Sequence, residues 1–240
     1  MTSAARLIKR SIDVAGASTG LVLLAPVMAA IALLVRRAMG SPVIFRQTRP
    51  GLGGRPFDIY KFRSMRPLRD GEVPYRTDDQ RLTALGRFLR TSSLDELPEL
   101  WNVLRGDMSL VGPRPLLLEY LDKYTPDEQR RHDVPPGLTG WAAVNGRNTI
   151  PFRERLALDL WYVDHWSLWL DLKILALTAV KVLRRSGVVA TESDPALGFP
   201  LPPAPGREAP PLAEVQSGPT TLSGPATAPG SARGAIRPAR

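Results

Sequence analysis

The chain has 240 residues, with 32 Lys and Arg against 23 Asp and Glu, a formal net charge of +9, and no cysteine. That length suffices for one domain with a real core plus appendages, and the missing cysteine excludes disulfides, cysteine nucleophiles and thiolate metal sites. With only two histidines, His132 and His165, a metal held by oxygen ligands such as Mg²⁺ is the one still open, and the basic balance suits a polyanion: nucleic acid, anionic lipid or a nucleotide diphosphate.

The N-terminal residues carry Arg6, Lys9 and Arg10; no charge then occurs from Val14 to Val35, and Arg36 and Arg37 follow. A straight helix of that length reaches across a bilayer. Pro26, near its middle, removes a backbone hydrogen bond and favours a kink, and basic residues flank both ends rather than one. A kinked helix that enters and leaves by the same face satisfies both observations; an ordinary span is the alternative.

From Ser41 the character changes. Val43–Phe45 and Phe57–Phe62 read as short strands around a Gly- and Pro-rich turn from Pro50 to Pro56. Gly51, Gly53 and Gly54 lack the lysine and following helix of a phosphate loop, so a hairpin turn is the better reading. Period two places Lys61 and Arg63 on one strand face with Phe57 and Ile59. Residues 68–80 read as a charged mobile loop. Leu82, Leu85 and Leu89 have helical spacing, and Arg87 and Arg90 on that helix can either hold a carboxylate ionised or contact anionic headgroups.

The central stretch runs from Thr91 to Pro115. It sets Asp95 and Glu96 side by side behind two serines, and Arg114 between Pro113 and Pro115. Ser93 and Glu96 have capping-box spacing, and Pro98 is tolerable in a first helical turn. The pair therefore reads as lying at a helix N-terminus, where negative charge is favoured. Either both acids are caps, or Asp95 is a nucleophile toward a phosphoryl group and Glu96 assists it. Flanking prolines stiffen the backbone around a guanidinium suited to phosphate. The helix after Pro98 should stop at Gly106, with Asp107 capping the turn.

Residues 116–131 read as an amphipathic helical segment, with Thr125 capping a short helix that begins at Pro126. The Gly-rich stretch from Pro135 to Asn148 reads as loop, with Arg147 supplying charge. Trp161, Tyr162, Trp166 and Trp169 in the last helices suit either a membrane interface or a core. Lys173, Lys181, Arg184 and Arg185 fit a helix lying on anionic lipid. Eleven of the 24 prolines lie between Ser193 and Arg240, a composition too poor in large apolar residues to order itself.

The run SLDELPELWNVLRGDMSLVGPRP, together with KFRSM and PGLTG, resembles the bacterial sugar transferases, monotopic polyprenyl-phosphate phosphoglycosyl transferases, in their small single-module form. The resemblance covers roughly residues 6–190. It implies an α-rich α/β monotopic membrane protein, with a re-entrant helix over 1–40 bent at Pro26, a small mixed catalytic domain with interfacial amphipathic helices over 41–192, and a disordered tail over 193–240. The family has Ser-Pro at the bend where this chain has Ala25-Pro26, and often Gln where Ala143 stands.

In that family the Asp-Glu pair is the catalytic dyad, which implies Asp95 as the residue forming a covalent phosphosugar and Glu96 as its partner. Mg²⁺ would be held at Asp95. Lys61, Arg63, Arg90, Arg114 and Arg147 would bind substrate phosphates, and Asp159 and Asp171 match acidic family positions, one of which would help hold the metal or a phosphate-binding arginine at the substrate site. The implied partners are a UDP-sugar donor, a polyprenyl phosphate acceptor and membrane lipid, at the cytoplasmic face of the inner membrane. The basic residues are scattered and no nucleic-acid-binding motif occurs, so nucleic acid is not expected. The rival class is a non-enzymatic membrane-anchored protein that binds anionic lipid or another polyanion.

Overall fold

A computed structural model describes residues 2–70, 72, 78–146 and 150–184. Its longest element is helix α1, Ser3–Met39, 37 residues with Pro26 inside it. Thr2 caps its start by accepting from the Ala5 amide, and Gly40 ends it with φ 72°. Among the described residues it is the one helix long and apolar enough to cross a membrane.

One stripe of α1 faces the rest of the protein. Ala17, Leu21 and Leu24 pack with Ile59, Leu100, Val103 and Met108; Met28, Ile31, Val35 and Met39 pack with Phe62 and Leu89. These positions recur every three or four residues, so both sides of Pro26 present the same face to the same body. The opposite side exposes Leu7, Ile8, Ile12, Val22, Leu23, Val27, Leu33 and Leu34. Gly16 and Gly20 let Leu110 and Leu100 approach the helix; a Cβ at Gly16 would lie 2.7 Å from the Leu110 side chain.

Polar ties fix the N-terminal part of α1. Lys9 donates to Asp171 at 2.6 Å and to the Val111 carbonyl at 3.0 Å. Asp13 accepts from the Leu110 amide and the Ser109 hydroxyl, and Arg10 donates to the Val103 and Leu104 carbonyls. The last pair fills acceptors left open at a helix C-terminus.

Strands β1, Ile44–Pro50, and β2, Pro56–Phe62, form an antiparallel hairpin in register Ile44 with Phe62 and Pro50 with Pro56. The first strand is longer than its apolar residues suggested, because ladder bonds carry it through Arg46–Arg49. Gly53 and Gly54, both at positive φ, close the turn, which is a hairpin and not a phosphate loop. Short helix α2, Asp78–Arg81, leads to α3, Ala84–Thr91, capped by Thr83. The mobile loop expected over 68–80 falls partly outside the described residues, and its far end is helical.

A 3₁₀ turn at Leu94–Glu96 precedes α4, Glu99–Arg105, which Gly106 ends at φ 95°. Strand β3, Ser109–Val111, pairs in parallel with β4, Gly137–Thr139. Gly112 and Gly137 permit the segments to cross closely: a Cβ on Gly137 would sit 2.1 Å from the Gly112 nitrogen. The helical segment expected over 116–131 is instead a 3₁₀ stretch, Leu118–Lys123, followed by α5, Pro126–Gln129, and a 3₁₀ turn at Arg130–His132. The Gly-rich loop contains β4 and helix α6, Trp141–Val144.

Helices α7, Phe152–Asp164, and α8, Leu168–Arg184, complete the body. Tyr162 lies in a core cluster with Val111, Val134, Val144, Leu170 and Ile174. The aromatics divide between the two roles expected of them. Tyr162 is buried, Trp166 donates to Asp171, and Trp169 is 76% exposed, with Leu172, Val180 and Val182 also exposed further along α8. Trp161 stacks between Trp141 and His165. The tail expected to be disordered over 193–240 lies outside the described residues. The architecture is helix-rich mixed α/β, and among the described residues the strands form two small two-stranded sheets rather than one extended sheet.

Candidate active site

The Asp-Glu pair sits where three elements meet. Leu94 and Leu97 pack onto the C-terminal half of α1, next to Phe62 and Leu89. With those two leucines turned to α1, the intervening acids face β2, and they are buried at 6% exposure for Asp95 and 9% for Glu96. The chain reverses into this turn at Ser93, at φ 56° a left-handed residue without glycine's freedom, a strain on the order of 1 kcal/mol or more. The capping box expected from Ser93 and Glu96 does not form: Ser93 makes no side-chain capping hydrogen bond to this turn, and Glu96 faces a pair of cations. A full capping box forms at Thr125 and Glu128 instead.

Strand β2 is locked over α4 by Asn102. Its side chain accepts from the Tyr60 amide at 3.1 Å and donates to the Asp58 carbonyl at 2.7 Å, at 0% exposure. Lys61, next in the strand, donates to Glu96 Oε1 at 3.0 Å and lies 3.1 Å from Glu99 Oε1. Arg114 donates to the same Glu96 oxygen at 2.5 Å. Glu96 therefore binds two cations at once.

Asp95 is different. Among the described residues no hydrogen bond or ion pair is made by its carboxylate. Burial, and then the Glu96 charge, push its pKa above the ordinary value, while Lys61, Arg90 and Arg114 pull it back. Burial opposes the Lys61 cation, but Glu96 and Glu99 prevail and its pKa is raised. Glu99, 1% exposed, is pushed up to about 7, chiefly by burial and with a contribution from Glu96, against the pull of Lys61. A buried nucleophile-type carboxylate beside fixed cations is an arrangement that can take a phosphoryl group.

Arg114 also lines a cleft of about 450 Å³, open mouth included, with Leu116, Leu138, Thr139, Gly140, Ala142, Ala143, Arg155 and Asp159. Asp159 on α7 holds Arg131 through contacts at 2.7 and 3.3 Å, and Arg131 donates to the Arg114 carbonyl at 2.6 Å. Burial works against the Arg131 cation, and Asp159 more than offsets it. Asp159 thus acts on Arg114 indirectly, through Arg131.

The remaining expected site residues fall into separate places. Arg90 donates to the Ser64 hydroxyl at 3.0 Å and acts on Asp95 through charge. Arg63 lies past the end of β2 and turns away from the dyad, donating to the carbonyls of Met39, Gly40 and Ser41 at the end of α1. The period-two expectation for Arg63 fails because the strand ends at Phe62. Asp171 binds Lys9, Tyr162 and Trp166 and belongs to the anchor of α1, not to a phosphate site. Arg147 lies outside the described residues. Pro26 sits within α1, two residues before Met28, which packs in the same cluster as Leu94 and Leu97.

Three residues escaped the sequence reading. Glu99 stands one helical turn after Glu96, a spacing that could have flagged it. Asn102 and Arg131 carry no such signal; only the packing selects them. Among the described residues no group of three His, Asp or Glu gathers that could hold a metal through protein ligands alone. Mg²⁺ commonly needs only one or two carboxylates when substrate phosphates supply the rest, and the uncommitted Asp95 carboxylate fits that donor set.

The chain matches the family described as bacterial sugar transferase over residues 4–185. It is 56% identical over 158 residues to the uncharacterized sugar transferase EpsL of Bacillus subtilis (strain 168), covering 66% of this chain and 78% of that protein. It is 44% identical over 186 residues to the UDP-glucose:undecaprenyl-phosphate glucose-1-phosphate transferase of Escherichia coli (strain K12), covering 73% of this chain and 40% of the relative. With the undecaprenyl-phosphate galactose phosphotransferase of Salmonella typhimurium it shares 41% identity over 199 residues, 76% of this chain and 42% of the relative. The chain thus spans less than half the length of the last two. A match across α1, the Asp-Glu pair and the last helices identifies the chain as a member of the bacterial sugar transferase family.

Proposed function

We propose that this chain transfers a phosphosugar from a UDP-sugar to polyprenyl phosphate, releasing UMP, through a phosphosugar carried on Asp95. The observation that carries the reading is the contrast within the dyad: Glu96 is bound to Lys61 and Arg114, while Asp95 beside it takes no hydrogen bond among the described residues. A carboxylate oxygen of Asp95 attacks the β-phosphorus of the donor; the bond from that phosphorus to the bridging oxygen breaks, and UMP leaves with the electron pair. Lys61 and Arg114 face the negative charge that builds on the phosphoryl oxygens. An oxygen of polyprenyl phosphate then attacks the same phosphorus and displaces the Asp95 carboxylate. Glu96 keeps both cations in place throughout. Asp95 and the donor diphosphate would together hold Mg²⁺, which when bound neutralises phosphate charge.

The donor is placed with its diphosphate at Arg114 and its nucleoside in the adjoining cleft, whose walls of Leu116, Leu138, Ala142 and Ala143 suit the faces of a flat base better than a hydroxylated sugar. The α1 contacts support a monotopic, re-entrant anchor. A spanning helix carries one end about 30 Å from the domain it serves, whereas here Lys9 near one end and Met39 at the other are both tied to the same body. The exposed Trp169 face of α8 would rest on lipid at the cytoplasmic surface of the inner membrane.

The test is UMP release from UDP-glucose, UDP-galactose and their N-acetylated counterparts, with Mg²⁺ and polyprenyl phosphate, for wild type and Asp95→Asn. Release abolished by the substitution, with a radiolabelled phosphosugar trapped on the wild-type chain alone, is the expected result. Equal release by the variant removes the covalent role and favours a route without Asp95.

A further inference from the structure

Glu99 is a buried acid for which the transfer just described has no use. It stands in the first turn of α4 at 1% exposure, and its Oε1 lies 3.1 Å from Lys61 Nζ, outside hydrogen-bonding direction. Its surroundings are rigid. Three residues on, Asn102 fastens α4 to the backbone of β2 on the residues flanking Ile59, and Leu100 and Val103 pack beneath α1. Lys61 is thereby set over Glu99 by backbone hydrogen bonds and core packing, not by a mobile surface contact.

A purely architectural role accounts poorly for this charge. Burying a carboxylate costs several kcal/mol unless ion pairing returns it, and a glutamine of the same shape would fill the site without that penalty. The ion pair that offsets part of the cost runs to Lys61, a cation bound to the dyad. We propose that Glu99 is a positioning residue for the transfer, acting through Lys61: it holds the ammonium from behind so that Lys61 cannot collapse fully onto Glu96 and stays directed at the phosphoryl group on Asp95. Without Glu99, Lys61 has Glu96 as its single close carboxylate and the pair neutralises itself. The inference rests on the transferase reading for its rate consequence, but the holding of Lys61 is independent of it.

The experiment compares wild type with Glu99→Gln in detergent by three readouts: thermal unfolding, UMP release, and acetylation of Lys61 by a soluble acetylating reagent followed by peptide mass spectrometry. The expected result is an unfolding temperature that is not lowered, a kcat reduced about tenfold or more with the donor KM within about threefold, and Lys61 labelled several times faster. Unchanged kcat overturns the role in transfer, unchanged labelling overturns the holding of Lys61, and a loss of activity matched by a loss of unfolding temperature assigns Glu99 to the fold. If wild-type protein releases UMP from no donor, the transferase reading fails, and the labelling still decides whether Glu99 holds the lysine.

Discussion

Two buried ionic clusters, one along β3 and one between β2 and the start of α4, are built on different principles. Around α1, Lys9 meets Asp171, Asp171 also accepts from Tyr162 and Trp166, Asp13 accepts from Ser109 and Leu110, and Arg10 closes the end of α4. Around the dyad, two cations converge on one oxygen of Glu96, Glu99 Oε1 meets Lys61 without a hydrogen bond, and Asp95 takes none. A satisfied buried network holds parts together; an unsatisfied one stores the capacity to bind something else. The first cluster docks a helix. The second is poised for a charged ligand.

The sharpest break in this comparison comes from removing one carboxylate from each side. Asp95→Asn should lower UMP release by at least about 10³-fold, while leaving the unfolding temperature equal or higher, since a buried charge without a partner is removed. Asp171 should behave in the opposite way. Taking away its partner with Lys9→Met strands a buried carboxylate and should cost about 3–5 kcal/mol of stability, read by denaturant unfolding in micelles, with UMP release per folded molecule within about twofold of wild type. Activity lost from Lys9→Met at full stability would erase the distinction between the two clusters.

Glu99 joins the clusters to pH. Its pKa is raised in the folded protein from 4.5 to about 7, by burial first and then by Glu96, against the attraction of Lys61 and Arg114. Below pH 4.5 the carboxyl is protonated whether the chain is folded or not, and burial carries no charge penalty. Between 4.5 and 7 only the folded state keeps the proton, so stability falls as pH rises, and above 7 the loss is complete. The total is on the order of 3 kcal/mol. Glu99→Gln removes this dependence. The variant's stability should match wild type near pH 4.5 and exceed it increasingly up to pH 7, measured by unfolding across that range; a constant difference at every pH would show that Glu99 does not titrate there.

Legibility in the sequence followed the same division. Local rules found what local chemistry decides: the hairpin around Gly53 and Gly54, the stop at Gly106, the Thr125 cap and the long apolar helix. That Lys61 would meet the Asp-Glu pair came from the resemblance its motif carries, since the two lie 35 residues apart. The capping box at Ser93 failed because Glu96 found two cations 18 and 35 residues away in the chain, a stronger partner than one backbone amide. Arg63 was misplaced because period two holds only inside a strand, and β2 ends one residue earlier. Asp171 and Arg131 could not be assigned from sequence at all. Their partners lie 162 and 28 residues away, and nothing short of the packed structure connects Lys9 to α8 or Asp159 to the back of Arg114.

The smallest test lies inside the closed cluster. The Tyr162 hydroxyl is within 2.7 Å of Asp171 Oδ1 and 3.2 Å of the Val111 carbonyl, and burial together with the Asp171 charge raises its pKa, so it stays a neutral donor. Asp171 already accepts from Lys9 and Trp166 through its other oxygen. Tyr162→Phe therefore leaves a paired carboxylate one donor short rather than stranded, and the ring keeps its place among Val111, Leu170 and Ile174. The cost should be about 1–2 kcal/mol, well under that of Lys9→Met, and the two changes should fall short of additivity because both act on one carboxylate. Full additivity in the double variant would mean that Asp171 does not couple them, and that the anchor of α1 is a set of separate contacts rather than one network.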